Sequence, residues 1–181
     1  MRKGEAVFMI SFMMFLTLFV SSSIVSNIGV RNIREDTIAV GDYRISVEII
    51  DPIGERDGTV VLIHGILGSR KMLKSMGLDL VRYGWRVILV DQIGHGSSGG
   101  EYRLSFDDLG NMGYALQKLV NQTVEFRKAL AVYIEDIIKE NEFVVFGGHS
   151  LGGLLAMFIS KEYNNRFNIL ATIGIAPPYI E

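Results

Sequence analysis

The stretch FVVFGGHSLGGLLAMFIS, Phe143 to Ser160, decides how this sequence is read. A short apolar run ends in glycines, one serine stands at the corner, and a second apolar run follows at helical spacing. Gly148-His149-Ser150-Leu151-Gly152 fits G-x-S-x-G, a turn that lifts its serine above the end of a strand and starts a helix behind it. Five residues alone are weak evidence, because such a match arises by chance. A strand pattern immediately before and a helix pattern immediately after, over Gly152 to Tyr163, give it weight. Glycines suit a strained serine backbone and the close passage of neighbouring chain. The new helix aims N–H groups and the positive end of its dipole at the serine. The bland reading is a glycine-rich turn with a passive serine; the flanking elements favour Ser150 as a nucleophile.

Outward from that corner the same design repeats. TVVLI (Thr59–Ile63) is short and continuously apolar, as a strand buried on both faces should be, and WRVILV (Trp85–Val90) and FVVFG (Phe143–Gly147) read as further buried strands. Thr37–Val40 and Tyr43–Ile50, joined at Gly41-Asp42, read as an antiparallel hairpin. A helix is expected over roughly residues 71–83, closed by Gly84. Residues 104–140 read as helical, with a break near Gly110 or Gly113. Ile169–Ala176 reads as a last strand, stopped by Pro177-Pro178. Strands alternating with helices imply an α/β fold with a mostly parallel sheet. Such a sheet places its chemistry in loops at the carboxyl ends of its strands. HGILGS (64–69), DQIGHGSSGG (91–100) and GGHSLGG (147–153) all begin at such ends.

These loops divide the work. With Ser150 as nucleophile, the backbone N–H groups of Ile66 and Leu151 are the expected oxyanion hole, and fixed donors on a developing oxyanion are worth a few kcal/mol each. His64-Gly65 shapes the turn that places the first of them. Asp91 and His95 are tempting as triad members, but the structural reading is preferred: Asp91 caps turn N–H groups, and His95 packs within its loop. His149 adjoins the serine in sequence, and from there its ring should not reach the hydroxyl in line.

Composition narrows the field. The chain has 181 residues, enough for one domain with a sizeable core. Its formal net charge of −2, with acidic and basic residues interspersed, leaves no basic footprint for nucleic acid. There are no cysteines, which excludes disulfides, a thiol nucleophile and cysteine-ligated metal. Neither a metal-ligand spacing nor a phosphate-cradling loop is present, and no cofactor is implied. The start, MRKGEAVFMISFMMFLTLFV, carries Arg2 and Lys3 before an apolar run from Ala6 to Val20. That run has the length of a signal-peptide core. Ile24, Val25, Ile28 and Val30 extend it towards the roughly 20 residues that cross a bilayer. Residues 1–30 are therefore expected to be a signal peptide or a membrane anchor. Either one puts the following domain outside the cell, secreted or tethered, with Arg2 and Lys3 on the cytoplasmic side.

Together, HGILGS, D-Q-I-G-H-G-S-S-G and G-H-S-L-G-G, each after a strand and in this order, resemble the α/β-hydrolase superfamily. The subgroup most resembled is the serine aminopeptidase S33 and monoacylglycerol-lipase-like hydrolases, across roughly Asp36 to Pro178. The resemblance implies an α/β-hydrolase fold over residues 31–181 with an antiparallel N-terminal hairpin. It further implies cleavage of an ester, of a lipid or a small molecule, or of an amide. In a halide-releasing branch, aspartate would replace Ser150. The segment Leu104–Glu125 is longer than the family's usual connection.

The family's order of residues is nucleophile, acid, histidine. Here the histidines are His64, His95 and His149, and none follows Ser150. Glu181, at the terminus, is a poor candidate for the acid. A serine without a general base is a weak nucleophile. The expectation is thus the N-terminal part of a hydrolase, stopping after a sixth strand, with triad acid and histidine unassigned and little activity in these residues alone. The alternatives are a non-catalytic, membrane-tethered binding module and one half of a split enzyme.

Overall fold

The computed structural model describes residues 29–178. The expected leader up to residue 28, and Glu181, lie outside the described residues. Among the described residues no helix is long and apolar enough to cross a membrane.

The strands are β1 (Val30–Val40), β2 (Tyr43–Pro52), β3 (Gly58–Ile63), β4 (Trp85–Val90), β5 (Phe143–His149) and β6 (Asn168–Ile175). They form one sheet in the order β1-β2-β4-β3-β5-β6. β1 pairs antiparallel with β2, and β2 antiparallel with β4; β4, β3, β5 and β6 run parallel. Helices α1 (Lys74–Arg82), α2 (Phe106–Leu109), α3 (Met112–Gln122), α4 (Val124–Ile137) and α5 (Leu151–Glu162) connect them, with a single 3-10 turn at Arg70–Leu73. This is the α/β-hydrolase architecture expected from the motif order.

The central strands read as apolar runs because each face is covered. Val60, Leu62, Val87 and Leu89 pack with Leu73 and Val81 of the α1 side. Val61, Ile63, Ile88 and Val90 point the other way, against Phe126, Leu130 and Ile134 of α4 and Leu155 and Ile159 of α5. Alternate residues of a strand face opposite ways, so two covered faces demand an unbroken apolar sequence. Burying each such side chain contributes about 1.5–3 kcal/mol.

β1 is longer than the Thr37–Val40 read from the sequence. Its first half, VRNIRED, is charged and exposed, and lacks the apolar alternation by which a half-buried strand is recognised. It pairs all the same, because backbone bonds to β2 carry it as an edge and Arg34 forms an ion pair with Asp51. The helical region also breaks where expected, at Gly110, and again at Thr123, where no break was expected. The Thr123 hydroxyl donates to the Val120 carbonyl at 2.6 Å, a local bond that competes with continuing the helix. Gly113 lies inside α3.

At the amino ends of the parallel strands, Glu142 ties β3 to the approach to β5. Arg56 donates to it twice through Nε and once through Nη2, and the Thr59 hydroxyl donates at 2.6 Å. Burial alone would raise the Glu142 carboxyl, but these bonds, the Lys139 N–H and the Arg56 charge hold it below its ordinary 4.5. A carboxylate held low when folded contributes stability above its unfolded pKa and loses it as the pH falls through the folded one. The melting temperature should therefore fall as the pH drops below 4.5, the ordinary Glu142 value. Glu142→Gln should be less stable at neutral pH and show a shallower acid decline in thermal unfolding followed by circular dichroism.

Candidate active site

β3, β4 and β5 end side by side, so the loops that leave them meet on one edge of the sheet. β5 runs straight into Ser150, whose backbone stands at φ 52° and ψ −124°. Side chains rarely adopt such a conformation, and holding one there stores about 1–3 kcal/mol of strain. Its surroundings fix it. Ser150 N–H donates to Ile175 O at 2.8 Å, and Ser150 O accepts from Gly153 at 2.9 Å.

The flanking glycines are explained by distance. A Cβ on Gly148 would stand 2.5 Å from the Ile63 carbonyl oxygen, and one on Gly152 would fall within the radii of the Ile63 and His64 oxygens. A Cβ on Gly65 would lie 3.0 Å from that of Ser150. The helix behind the serine is thus pressed against the end of β3, and the loop from His64 passes directly beside the serine.

Leu151 follows Ser150 directly, and Ile66 follows Gly65, whose Cβ position lies 3.0 Å from that of Ser150. Among the described residues no hydrogen bond takes the N–H of Ile66 or of Leu151. Their neighbours are engaged: Gly68 N–H donates to Gly65 O at 3.1 Å, and Leu67 N–H to His95 Nε2 at 3.0 Å. No described side chain, the three histidines included, is hydrogen-bonded to the Ser150 hydroxyl.

His64 and His95 are committed elsewhere. His64 is buried; its Nδ1 donates to Gly65 O at 2.6 Å and its Nε2 accepts from Gln92 N–H at 3.0 Å. Burial lowers its pKa despite the Gly65 carbonyl and the Asp91 charge, which pull the other way. The ring therefore stays neutral, with its proton on Nδ1. Asp91 does cap turn N–H groups, as read from the sequence: Oδ2 accepts from Ser97 N–H at 3.0 Å, and Oδ1 from Arg70 N–H at 2.7 Å.

Asp91 also holds a partner the sequence did not suggest. The Arg70 guanidinium, buried, donates to Asp91 Oδ2 at 3.0 Å, to Glu35 at 2.5 Å and to the Ser46 hydroxyl. Ser98 bridges the same loop to β2, its hydroxyl donating to Asp91 O at 2.9 Å and accepting from Ser46 N–H at 2.8 Å. A Cβ on Gly96, at φ 57°, would overlap the Asp91 carboxylate. Tyr102 donates to Gln92 Oε1 at 2.8 Å, and the Gln92 amide donates to His64 O. The D-x-x-G-H-G-x-S pattern is therefore a scaffold that locks the β4 loop to the β3 loop. Its spacing was a legible signal for Asp91, Gly96 and Ser98; nothing local marked Arg70 or Tyr102.

Gly152→Ala should cost about 3 kcal/mol or more, because its Cβ meets rigid carbonyls. Gly113→Ala, in α3, meets only the Asn111 side chain at 3.6 Å and should be neutral or stabilising. Urea unfolding of the two variants checks the contrast.

Comparison with known proteins agrees with this geometry. A family model described as the alpha/beta hydrolase fold matches residues 58–181. A protein of Mycobacterium phage D29 that carries a non-heme haloperoxidase name is 24% identical over 134 residues, 74% of this chain and 40% of that protein. Among solved structures, an esterase from Pyrococcus furiosus is 24% identical with a TM-score of 0.56, over 81% of this chain and 52% of that one. The α/β hydrolase GrgF from Penicillium sp. sh18 is 16% identical with a TM-score of 0.61, over 81% and 46%. Epoxide hydrolase A from Mycobacterium thermoresistibile is 20% identical with a TM-score of 0.52, over 77% and 39%. The chain spans 40% of the length of the phage relative and 52% of that of the esterase. With the family model matched over most of its length and the loop architecture in place, this chain belongs to the α/β-hydrolase fold family.

Proposed function

We propose that this chain carries the nucleophile half of a serine hydrolase acting on an ester or amide carbonyl. The observation that carries the reading is Ser150 itself: a non-glycine residue at φ 52°, raised between β5 and α5, with the N–H groups of Ile66 and Leu151 taken by no hydrogen bond among the described residues. Ser150 Oγ attacks the carbonyl carbon while a general base takes its proton. The carbonyl oxygen gains the negative charge and is held by the two N–H groups, helped by the dipole of α5. Collapse expels the alcohol or amine, which takes the proton, and leaves an acyl group on Ser150. Water then repeats the sequence and restores the serine.

The step needs a general base and an acid to orient it, and this reading takes both from outside the described residues. His64 and His95 hold backbone N–H groups and are not available. β6 supports such an addition: Leu170, Ile173 and Ile175 are exposed, and the strand contains no charged residue. An apolar edge of this kind calls for a neighbour. Esters, lipid esters included, are favoured over peptides because the apolar N-terminal run would hold the domain at a membrane, secretion being the other outcome. The S33 and monoacylglycerol-lipase-like resemblance of the three loops fits that substrate class. A non-catalytic tethered binding module is the second reading, favoured by the absence of a described base near Ser150.

The test is labelling of the whole protein with a serine-directed fluorophosphonate, followed by peptide mass mapping. An adduct on Ser150 that is absent from Ser150→Ala supports the hydrolase reading. No adduct at Ser150 removes it and leaves the binding module.

A further inference from the structure

We propose that His95 is a positioning residue that holds the oxyanion loop open, by taking the N–H of Leu67 so that the N–H of Ile66 remains free beside Ser150. The catalytic consequence rests on the reading of Ser150 as a nucleophile; the bond itself does not.

The β3 loop needs such a partner. Gly65 to Gly68 is a tight turn closed by Gly68 N–H on Gly65 O at 3.1 Å. Leu67 occupies its third position at φ 62°, where this kind of turn ordinarily takes glycine or asparagine. The leucine side chain is 92% exposed, so packing does not fix it there. What does hold the residue is its backbone N–H, 3.0 Å from His95 Nε2.

His95 is built to accept and not to donate at that atom. Its Nδ1 lies 2.7 Å from Ile93 O, and a carbonyl only accepts, so the ring proton is on Nδ1 and Nε2 offers a lone pair. The ring is fixed from two sides, by Tyr102 edge-on with centroids 5.9 Å apart and by His64 at 5.5 Å. The arrangement is reciprocal. His64, from the β3 loop, accepts Gln92 N–H of the β4 loop, while His95, from the β4 loop, accepts Leu67 N–H of the β3 loop. Each loop thus lends one imidazole to the backbone of the other. Turning the Leu67 peptide to seek another partner would swing the adjoining Ile66 N–H as well, and the crossed pair prevents this.

The experiment uses the full chain in detergent, labelled with 15N-leucine and 15N-histidine. A nitrogen–nitrogen scalar coupling between the Leu67 amide and His95 Nε2, with the His95 proton on Nδ1, is expected. His95→Leu should speed hydrogen exchange of the Leu67 amide about five- to tenfold. His95→Gln, whose carboxamide oxygen reaches the same N–H, should restore protection. In the whole protein, His95→Leu should lower kcat by a similar factor with little change in KM, and His95→Gln should recover it. Absence of the coupling in the unmutated chain overturns the proposal, even where Ser150 takes the fluorophosphonate. Unchanged kcat in His95→Leu, with Ser150 labelled, overturns it equally. A coupling with the expected exchange pattern upholds the loop-holding role even where Ser150 proves unreactive.

Discussion

The close approach of Gly148 and Gly152 to the Ile63 carbonyl is the contact on which the rest of the site depends. It brings α5 down onto the end of β3 and thereby forces the chain through the unusual backbone angles of Ser150. Any side chain at either glycine would separate helix from sheet. The serine would then lose both its elevation and its neighbouring N–H groups. The covered faces of the sheet provide the rigid bed against which this compression is held.

A second layer of order surrounds that contact. Asp91, buried, collects donors from Arg70 and Ser97, and the Arg70 guanidinium carries the link on to Ser46 and Glu35. A buried carboxylate with several charged and backbone donors is fully satisfied, and removing one partner would leave an uncompensated charge. The β3 and β4 loops are therefore one polar unit and not separate excursions. Two histidines that invite a catalytic reading belong to that unit. Their tautomers are set by neighbouring carbonyls, and their lone pairs are already occupied.

Much of this was legible in the sequence, for identifiable reasons. Thr59–Ile63, Trp85–Val90 and Phe143–Gly147 showed as strands because two covered faces favour a nearly continuous apolar run, broken only at Thr59 and Arg86 near the strand starts. Ser150 showed because its glycines stand within two positions of it in the sequence, although the Ile63 and His64 carbonyls that require them lie on a distant strand and its loop. The first half of β1 did not show, since an edge strand bonded along one side needs no apolar pattern. The break at Thr123 was missed because it turns on one hydroxyl and not on a glycine. Arg70 and Tyr102 were missed because their partners lie 21 and 10 positions away, beyond any local period.

The two borders of the sheet are unlike in a way that gives it a direction of growth. β1 carries Arg31, Arg34, Glu35 and Asp36 along its rim, charges that repel an incoming strand. β6, reading NILATIGI, carries no charge, and among the described residues its backbone is paired on one side alone. A further strand would therefore be admitted at β6 and opposed at β1. A strand joining β6 in parallel would finish on the same side as β5, with its outgoing loop one strand beyond Ile175. Since Ile175 O already receives the Ser150 N–H, whatever that loop carried would arrive next to the serine.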